Sequence, residues 1–348
     1  MARRILWGSL ALAPLSILLH YTADIGDTAE FVLAAAALIP LAWLIGEATE
    51  HAGHHTGPGV AGFLNATFGN APELIIALLA VHEGLTEVVR GSLTGSVVGN
   101  LLLVLGFSLL FGGRGELDRE SSLVSIGLVS LATLLFLVPA VMGWSGDPER
   151  DAIEIVSIPV AIVLLLIYVG ATWIALRRHR RLHVSDPEEP PEMAGWSFRT
   201  ALIVLAIATV VTALIAEIVV GSIEVFAEEA NLSEFFVAAV IIAIVGNAAE
   251  HGGAVVVAAR GRIKLAAEIA LASSAQVAVF LVPAVALLSL LINPLALSFR
   301  EVEIAALVFG AILTFVLLVQ GRSSRLRGVI LVAGYVAVAA AFFVAGER

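Results

Sequence analysis

Cysteine is absent from the 348 residues, and lysine occurs only once, at Lys264. The lack of cysteine excludes disulfide bonds and thiolate metal sites. Charged residues are scarce as well, at 14% of the chain, whereas a soluble domain has about a quarter. Hydrophobic residues make up 59%, the mean hydropathy is +1.01 and the net charge is −10. The composition therefore predicts a polytopic membrane protein, and its acidity gives no reason to expect nucleic acid as a partner.

The apolar stretches predict an all-α protein with about eleven transmembrane helices. A spanning helix needs about 20 mainly apolar residues, so the hydrophobic content suffices for roughly ten. Apolar runs between polar breaks place these helices at Ile5–Tyr21, Glu30–Glu50, Ala61–His82, Gly91–Phe111, Ser121–Trp144, Ala152–Leu176, Phe198–Phe226, Glu234–Ala258, Leu265–Leu291, Phe299–Val319 and Leu326–Ala345.

The basic residues predict the orientation of the chain. All but four of the 19 fall on one predicted side, and the four exceptions are Arg90, Arg150, Arg300 and Arg348. Basic loops favour the cytoplasm, so the N-terminus is expected inside and the C-terminus outside. With these boundaries, no basic residue lies in the interior of a span, although Arg199, Arg300 and Arg327 occupy the second position of theirs. The single lysine among so many arginines indicates a GC-rich prokaryotic genome, which favours the prokaryotic plasma membrane as the location.

A short motif occurs twice in the chain. Gly69–Glu73 reads GNAPE and Gly246–Glu250 reads GNAAE, and Ser96 matches Ser273 in the same register. The first copy lies on the third predicted span and the second on the eighth, so the two run through the membrane in opposite directions. Inverted repeats of this kind are typical of secondary transporters, whose substrate site lies where the repeats meet.

The repeat and the long polar break between its copies divide the chain into four parts. The break begins with basic residues and continues as an acidic, proline-rich stretch. We expect an N-terminal transmembrane helix and outer loop at 1–29, a first five-helix repeat at 30–176, a cytoplasmic linker with the acidic stretch at 177–197, and a second five-helix repeat at 198–348.

Each copy of the motif carries an amide and a carboxylate three residues apart, so both side chains share one helix face. Asn70 and Glu73 of the first copy would meet Asn247 and Glu250 of the second at the pseudo-two-fold axis. The result is an oxygen-only cage with two negative charges, which suits Ca²⁺ better than Mg²⁺. A purely structural reading, in which the glutamates only lock helices together, stays open.

Protons compete for the same oxygens. Two neighbouring carboxylates in a low dielectric cannot both stay ionised, so at least one takes a proton when no cation is bound. Binding of one ion would then release the other. The sequence therefore predicts Ca²⁺ and H⁺ as the partners, with Glu73 and Glu250 coupling them. Because Ca²⁺ is the transported substrate, we expect no cofactor.

Four further polar residues lie in otherwise apolar helices flanking the motif. Their oxygens would complete a coordination shell for the cation. The alternative role is hydrogen bonding or close packing between helices. These candidate ligands are Ser96, Asn100, Ser273 and Gln276.

The two motifs, extended to Leu74 and His251, resemble the signature repeats of the calcium/proton exchanger (CAX) family, one branch of the calcium/cation antiporters. The resemblance covers nearly the whole chain and includes the stretches Gly46–Glu50, Asn65–Phe68 and Gly221–Glu224. It implies a secondary antiporter, not an enzyme, that exports Ca²⁺ from the cytoplasm as protons enter. Glu73 and Glu250 would be its central carboxylates. His251 matches a histidine that separates this branch from the sodium/calcium exchangers.

Other titratable residues are weaker candidates for a role in ion transport. His251 lies about 100° around the helix from Glu250, so it would either relay protons or form a hydrogen bond between helices. Glu50, Glu217 and Glu224 are candidates for a vestibule that concentrates cations. His51, His54 and His55 form a cluster near Glu47 and Glu50 whose spacing is compatible with zinc.

Three alternatives to Ca²⁺/H⁺ exchange stay open. The first is exchange of the cation against Na⁺ or K⁺. The second is a zinc-dependent intramembrane hydrolase built on Glu50 and the three clustered histidines. The third, a channel, is disfavoured because a strong divalent cage releases its ion slowly, whereas conduction needs weak, multiple sites. The oligomeric state is not predicted.

Overall fold

The computed structural model describes residues 2–23, 25–56, 58–182 and 195–346, and helices dominate it. Its α-helices, in chain order, are α1 (Ala2–Ser9), α2 (Leu12–Thr22), α3 (Asp27–His54), α4 (Pro58–Phe68), α5 (Ala71–His82), α6 (Thr86–Val98), α7 (Leu105–Gly112), α8 (Arg119–Gly143), α9 (Asp151–Leu182), α10 (Phe198–Glu229), α11 (Glu234–Phe236), α12 (Ala243–Gly246), α13 (Ala248–Ala259), α14 (Ile263–Gln276), α15 (Val282–Ser289), α16 (Glu301–Leu318) and α17 (Arg325–Ala345). Three π-helical segments lie between them, at Gly99–Val104, Val237–Ile242 and Val277–Leu281.

The number of spans agrees with the sequence-based count. Within the described residues, nine helical stretches are long and apolar enough to cross a membrane, and a pair of helices bent by 57°, Glu234–Gly246 and Glu250–Ala259, makes a tenth. The predicted third span, Ala61–His82, is divided into α4 and α5 by a break at Gly69 and Asn70. The prediction of an all-α protein with about eleven spans is confirmed, with the third and the eighth predicted spans each in two pieces.

Two irregularities recur in both halves. The helix breaks at Asn70 and again at Asn247. A π-helical segment then begins at Gly99, 29 residues after the first break, and at Val277, 30 residues after the second. Because π-helical turns are rare and concentrate at functional sites, their return at the same place indicates that the sequence repeat is also a structural one.

Polar side chains set the first residues of several spans. Asp118 accepts a hydrogen bond from the Ser121 amide at 3.0 Å before α8, and Ser197 accepts one from the Thr200 amide at 3.2 Å before α10. These N-caps satisfy amides that have no acceptor within the helix. The helices therefore begin close to the predicted starts.

Two long helices from opposite halves, α3 and α10, pack along each other. Near the N-terminus of α3, Phe31 stacks on Phe226 with ring centroids 4.1 Å apart, and the Thr28 hydroxyl donates a hydrogen bond to the Glu229 carboxylate. Nearer the C-terminus of α3, Ile45 and Ala48 share a cluster of buried apolar residues with Leu205 and Ala208 of α10. The two helices therefore contact each other near both ends of α3.

A short β-ladder joins the two halves away from the helices. In β1 (Gly115–Glu116) and β2 (Arg322–Ser323), Gly115 lies opposite Ser323 and Glu116 opposite Arg322, in antiparallel register. The Ser323 hydroxyl also donates to the Gly113 carbonyl at 2.8 Å. The loop after α7 is thereby fastened to the loop between α16 and α17.

The predicted linker, 177–197, lies largely outside the described residues, since 183–194 are not described. Its first part is helical, because α9 continues to Leu182 and so passes the predicted end of the sixth span. The basic residues that open the linker therefore extend the helix and do not begin a loop.

The expectation that no basic residue lies in the interior of a span is wrong for Arg90. The predicted span began one residue later, whereas the helical stretch is Thr86–Gly112, and the Arg90 side chain is only 1% exposed. Its guanidinium donates to Glu149 at 2.5 Å and to Glu87 at 3.1 Å. Because two carboxylates compensate its charge, the arginine is buried without facing hydrocarbon.

Candidate functional site

Glu73 and Glu250 lie at the same point of a broken helix in the two halves. Asn70 (φ −103°, ψ 17°) and Asn247 (φ −90°, ψ 3°) depart from helical backbone geometry and precede α5 and α13. Each glutamate therefore falls in the first turn of the following helix. Amides in this turn have no intrahelical acceptor, and the helix end carries partial positive charge, so the breaks suit carboxylates.

The glycine of each motif packs against the glutamate of the other. A methyl group at Gly69 would lie 3.5 Å from Glu250 Oε1, and one at Gly246 would lie 3.6 Å from Glu73 Oε1. The structure thus brings together two acidic side chains that are 177 positions apart in the sequence, as the inverted repeat requires.

Hydrogen bonds across the halves connect four of the predicted ligands. The Asn247 amide donates to Ser96 Oγ at 2.9 Å, and the Asn100 amide donates to Ser273 Oγ at 3.1 Å. Ser273 Oγ in turn donates to Glu250 Oε2 at 2.5 Å. Asn100, Ser273 and Glu250 therefore form one chain in which the serine hydroxyl orients the carboxylate.

Two oxygens of the site are buried with no hydrogen-bond donor among the described residues. They are Glu73 Oε2 and Asn100 Oδ1, and their side chains are 9% and 1% exposed. A buried acceptor without a donor is costly unless something positive satisfies it. A divalent cation with oxygen ligands meets that requirement, since Ca²⁺ takes carboxylate and amide oxygens.

A cavity of about 630 Å³ reaches Glu250 from the C-terminal half of α3. Glu47, Thr49, Glu50 and His54 contribute to its polar lining. The Thr49 hydroxyl is buried and has no hydrogen-bond partner in the described part of the chain. The cavity is large enough to carry a hydrated cation to the carboxylate.

Glu73 does not line that cavity. It borders a separate pocket of about 10 Å³ together with Ser92 and Ser96. A space of this size holds about one water molecule. The two carboxylates therefore differ in access: Glu250 is reached from one side, whereas Glu73 is enclosed.

Two predicted ligands remain, Asn70 and Gln276. Asn70 is 1% exposed at the first helix break. Gln276 is the last residue of α14 and is partly exposed. No hydrogen bond joins Gln276 to either glutamate within the described residues.

His251 is held away from the hydrogen-bond chain. Its Nε2 atom is buried, and no described residue offers it a hydrogen-bond partner. Its Nε2 atom therefore makes no contact among these residues that would support either predicted role, the proton relay or the hydrogen bond between helices. Both roles stay predictions.

The three vestibule candidates fall in different places. Glu50 lines the large cavity. Glu217 lines a second cavity of about 310 Å³ together with Glu30 and Glu83. Glu224 is exposed on α10. Only Glu50 therefore shares a cavity with one of the two central glutamates.

The histidine cluster does not form a metal centre in the described residues, where no group of three or more His, Asp or Glu is placed to hold a metal ion. His51 Nε2 lies 3.5 Å from Glu47 and His54 Nε2 lies 3.8 Å from Glu50, each one helical turn away. His55 Nε2 lies 2.9 Å from the Trp196 carbonyl oxygen. Each histidine thus has a separate partner, which removes the support for a zinc hydrolase.

Sequence reasoning missed a second buried acid, Glu303 in the first turn of α16. It is 0% exposed, and it accepts hydrogen bonds from the Thr94 hydroxyl at 2.9 Å and from the Arg300 amide at 2.7 Å. Its position in the first turns of the predicted span Phe299–Val319 made it look like an ordinary helix end. A threonine within the fourth span was the one signal of a buried polar partner.

The chain matches the sodium/calcium exchanger protein family over residues 28–177 and 200–344. Among curated relatives, the Ca²⁺/H⁺ antiporter ChaA of Bacillus subtilis is 38% identical, with 95% of this chain and 96% of the relative covered. A Ca²⁺/H⁺ antiporter of Synechocystis is 34% identical, with 96% and 95% covered.

Solved structures agree with these matches. The native structure of YfkE superposes with a TM-score of 0.84 at 34% identity, covering 97% of this chain and 99% of YfkE. The H⁺/Ca²⁺ exchanger CAX gives a TM-score of 0.75 at 15% identity, covering 99% of this chain and 92% of that one, which shows a shared fold. The chain therefore belongs to the sodium/calcium exchanger protein family, and the predicted resemblance to its calcium/proton exchanger branch is confirmed.

Proposed function

We propose that the protein is a secondary antiporter that exports Ca²⁺ from the cytoplasm in exchange for H⁺ by alternating access. The two ions would compete for Glu73 and Glu250. The observation that carries the proposal is the reciprocal packing in which the glycine of each motif lies against the glutamate of the other. The names of the curated relatives, Ca²⁺/H⁺ antiporters in two bacteria, support the same ion pair.

The proposed ligands are the two glutamates with Asn70, Asn247, Ser96, Ser273, Asn100 and Gln276. The buried, donor-free oxygens of Glu73 and Asn100 support this assignment, because both are free to accept a cation. Cation binding requires both carboxylates to be ionised, whereas the cation-free site loses its repulsion by taking up protons. Each ion then leaves as the other binds, which is the coupling that an antiporter needs.

We place the large cavity on the cytoplasmic side. It lies at the C-terminal half of α3, which the distribution of arginine assigns to the cytoplasm. The Phe31–Phe226 stack lies toward the other end of α3 and would seal the outer side. In this arrangement cytoplasmic Ca²⁺ reaches Glu250 first. The N-terminus would be cytoplasmic, the C-terminus outside and the location a prokaryotic plasma membrane.

The first prediction tests this function in liposomes that contain the full chain. An imposed pH gradient is expected to drive accumulation of radioactive Ca²⁺, and Glu73→Gln or Glu250→Gln is expected to reduce uptake to the level of protein-free liposomes. Glu301→Gln, a matched change at an exposed position of α16, should leave uptake intact. Uptake driven by a Na⁺ or K⁺ gradient without a pH gradient would contradict proton coupling.

A further inference from the structure

The π-helical segment Gly99–Val104 leaves one backbone carbonyl without its usual donor. In a regular α-helix, the Leu105 amide would donate to the Leu101 carbonyl, four residues back. Here the Leu105 amide donates to the carbonyls of Asn100 and Leu102 instead. The Leu101 carbonyl, on a residue that is 0% exposed, therefore loses its α-helical donor, and a buried carbonyl favours a replacement.

Thr314 of α16 donates a hydrogen bond to this carbonyl. Its hydroxyl donates to the Leu101 carbonyl at 3.3 Å, and the side chain is 0% exposed. Gly310, one turn earlier on the same helix face, brings α16 close to the segment: a methyl group there would lie 3.5 Å from Leu101 Cδ1. The contact crosses between the halves, since α16 belongs to the second.

The widened turn contains Asn100, the residue that opens the hydrogen-bond chain to Glu250 through Ser273. A π-helical turn inserts one residue relative to an α-helix and so rotates every side chain after the insertion. If the turn relaxed to α-helical geometry, the Asn100 side chain would rotate and its amide would no longer donate to Ser273 Oγ. The orientation of the Asn100 side chain therefore depends on a π-helical backbone, and the Thr314 hydroxyl stabilises that backbone by donating to the Leu101 carbonyl.

The second half keeps the same turn by another means. The Val282 amide donates to the Val277 carbonyl, five residues back, and Pro283 follows it. Proline has no amide hydrogen, so it disfavours regular α-helical bonding at that point. Gly106 stands at the matching position of the first half, and glycine exerts no such effect. The two halves therefore support their π-helical turns with different residues, proline in the second half and the Thr314 hydroxyl in the first.

We propose that Thr314 is a positioning residue of the ion site: it holds the π-helical turn that aims Asn100 at Ser273 and Glu250. This inference rests on the proposed Ca²⁺/H⁺ exchange. It concerns a residue outside both GNAxE motifs and outside the predicted ligand set.

The test is Ca²⁺ transport by variants of the full chain in liposomes. Thr314→Val keeps the shape of the side chain and removes the hydroxyl, so the half-saturating Ca²⁺ concentration should rise about two- to tenfold, the value of one buried hydrogen bond. The maximal rate should change less. Thr314→Ser should restore the wild-type value, because it returns the hydroxyl donor. If Thr314→Val folds poorly, Thr314→Ala takes its place and should show the same rise in the half-saturating concentration.

A matched control separates positioning from stability. Thr133 is also buried, and its hydroxyl donates to a carbonyl of its own helix, Val129, at 2.8 Å. Thr133→Val should leave the half-saturating concentration unchanged. In an Asn100→Ala background, Thr314→Val should have no further effect, since it acts through Asn100.

The outcomes are distinct. A lowered melting temperature of Thr314→Val with an unchanged half-saturating concentration would overturn the positioning role and leave the exchange function standing. Independent, additive effects of Thr314→Val and Asn100→Ala would overturn it as well. Failure of the wild-type protein to accumulate Ca²⁺ in response to a pH gradient would instead overturn the proposed function itself.

Discussion

At the residue scale, the two motif glycines are not equivalent. A methyl group at Gly69 would lie 2.4 Å from the Asn65 carbonyl oxygen, so the backbone would have to move. A methyl group at Gly246 meets nothing closer than the Glu73 side chain at 3.5 Å, an ordinary contact. The helix break in the first half is therefore more tightly built than its counterpart.

This difference gives the prediction at the residue scale. Gly69→Ala should lower the free energy of unfolding by about 1–3 kcal/mol, as forced overpacking does. Gly246→Ala should stay within about 0.5 kcal/mol of the wild type, as harmless substitutions do. Thermal unfolding of both variants in detergent measures the contrast, and equal losses in the two would contradict it.

At the element scale, the start of α8 depends on one carboxylate. Asp118 accepts a hydrogen bond from the Ser121 amide and lies 3.1 Å from the Lys264 ammonium. These two interactions hold the pKa of Asp118 below its ordinary value. Since the ionised form is favoured in the folded state, Asp118 stabilises the protein above its unfolded-state pKa. That stabilisation is lost as the pH falls through the lower, folded-state pKa.

We predict that Asp118→Ala lowers the free energy of unfolding by about 0.5–2 kcal/mol near neutral pH, the usual value of an N-cap. Asp118→Asn keeps an acceptor for the cap and should lose less. The difference between wild type and Asp118→Ala should shrink when the medium is made acidic. Melting temperatures measured across a pH series in detergent test this, and a difference that grows on acidification would refute it.

At the scale of the whole molecule, the ion site is reached from one side, through Glu250. The cavity that reaches Glu250 lies at the C-terminal half of α3, whereas Phe31 and Phe226 stack toward the other end of the α3–α10 pair. For an ion to leave on the other side, these two helices must separate where the rings now meet. A covalent bridge at the stack should therefore prevent turnover.

The absence of cysteine from the sequence makes this prediction easy to test. In the Phe31→Cys/Phe226→Cys double variant, a short bifunctional methanethiosulfonate reagent should abolish Ca²⁺ uptake, and a reducing agent should restore it. Each single variant, treated in the same way, is the control. Undiminished transport by cross-linked protein would show that the helices do not need to part there.

Local patterns in the sequence were sufficient for the architecture and for selecting Glu73 and Glu250 as the candidate ion-binding residues. The number of spans follows from hydropathy, because lipid requires each crossing segment to be continuously apolar and helical. Glu73 and Glu250 follow from the repeated motif, because an acid inside an apolar run has few roles other than function. Arg90 and Glu303 were missed, because their burial depends on partners from other segments, such as Glu149 and Thr94.

The sequence by itself determined that this protein crosses the membrane many times, that its halves are repeats running in opposite directions, and that each half carries one central glutamate. Only the tertiary structure decided which oxygens lack donors, which side is open, and that Thr314 supports the turn bearing Asn100. The reason is physical. Hydropathy and motifs are properties of neighbouring residues, whereas hydrogen bonds and access depend on how helices distant in the chain pack together.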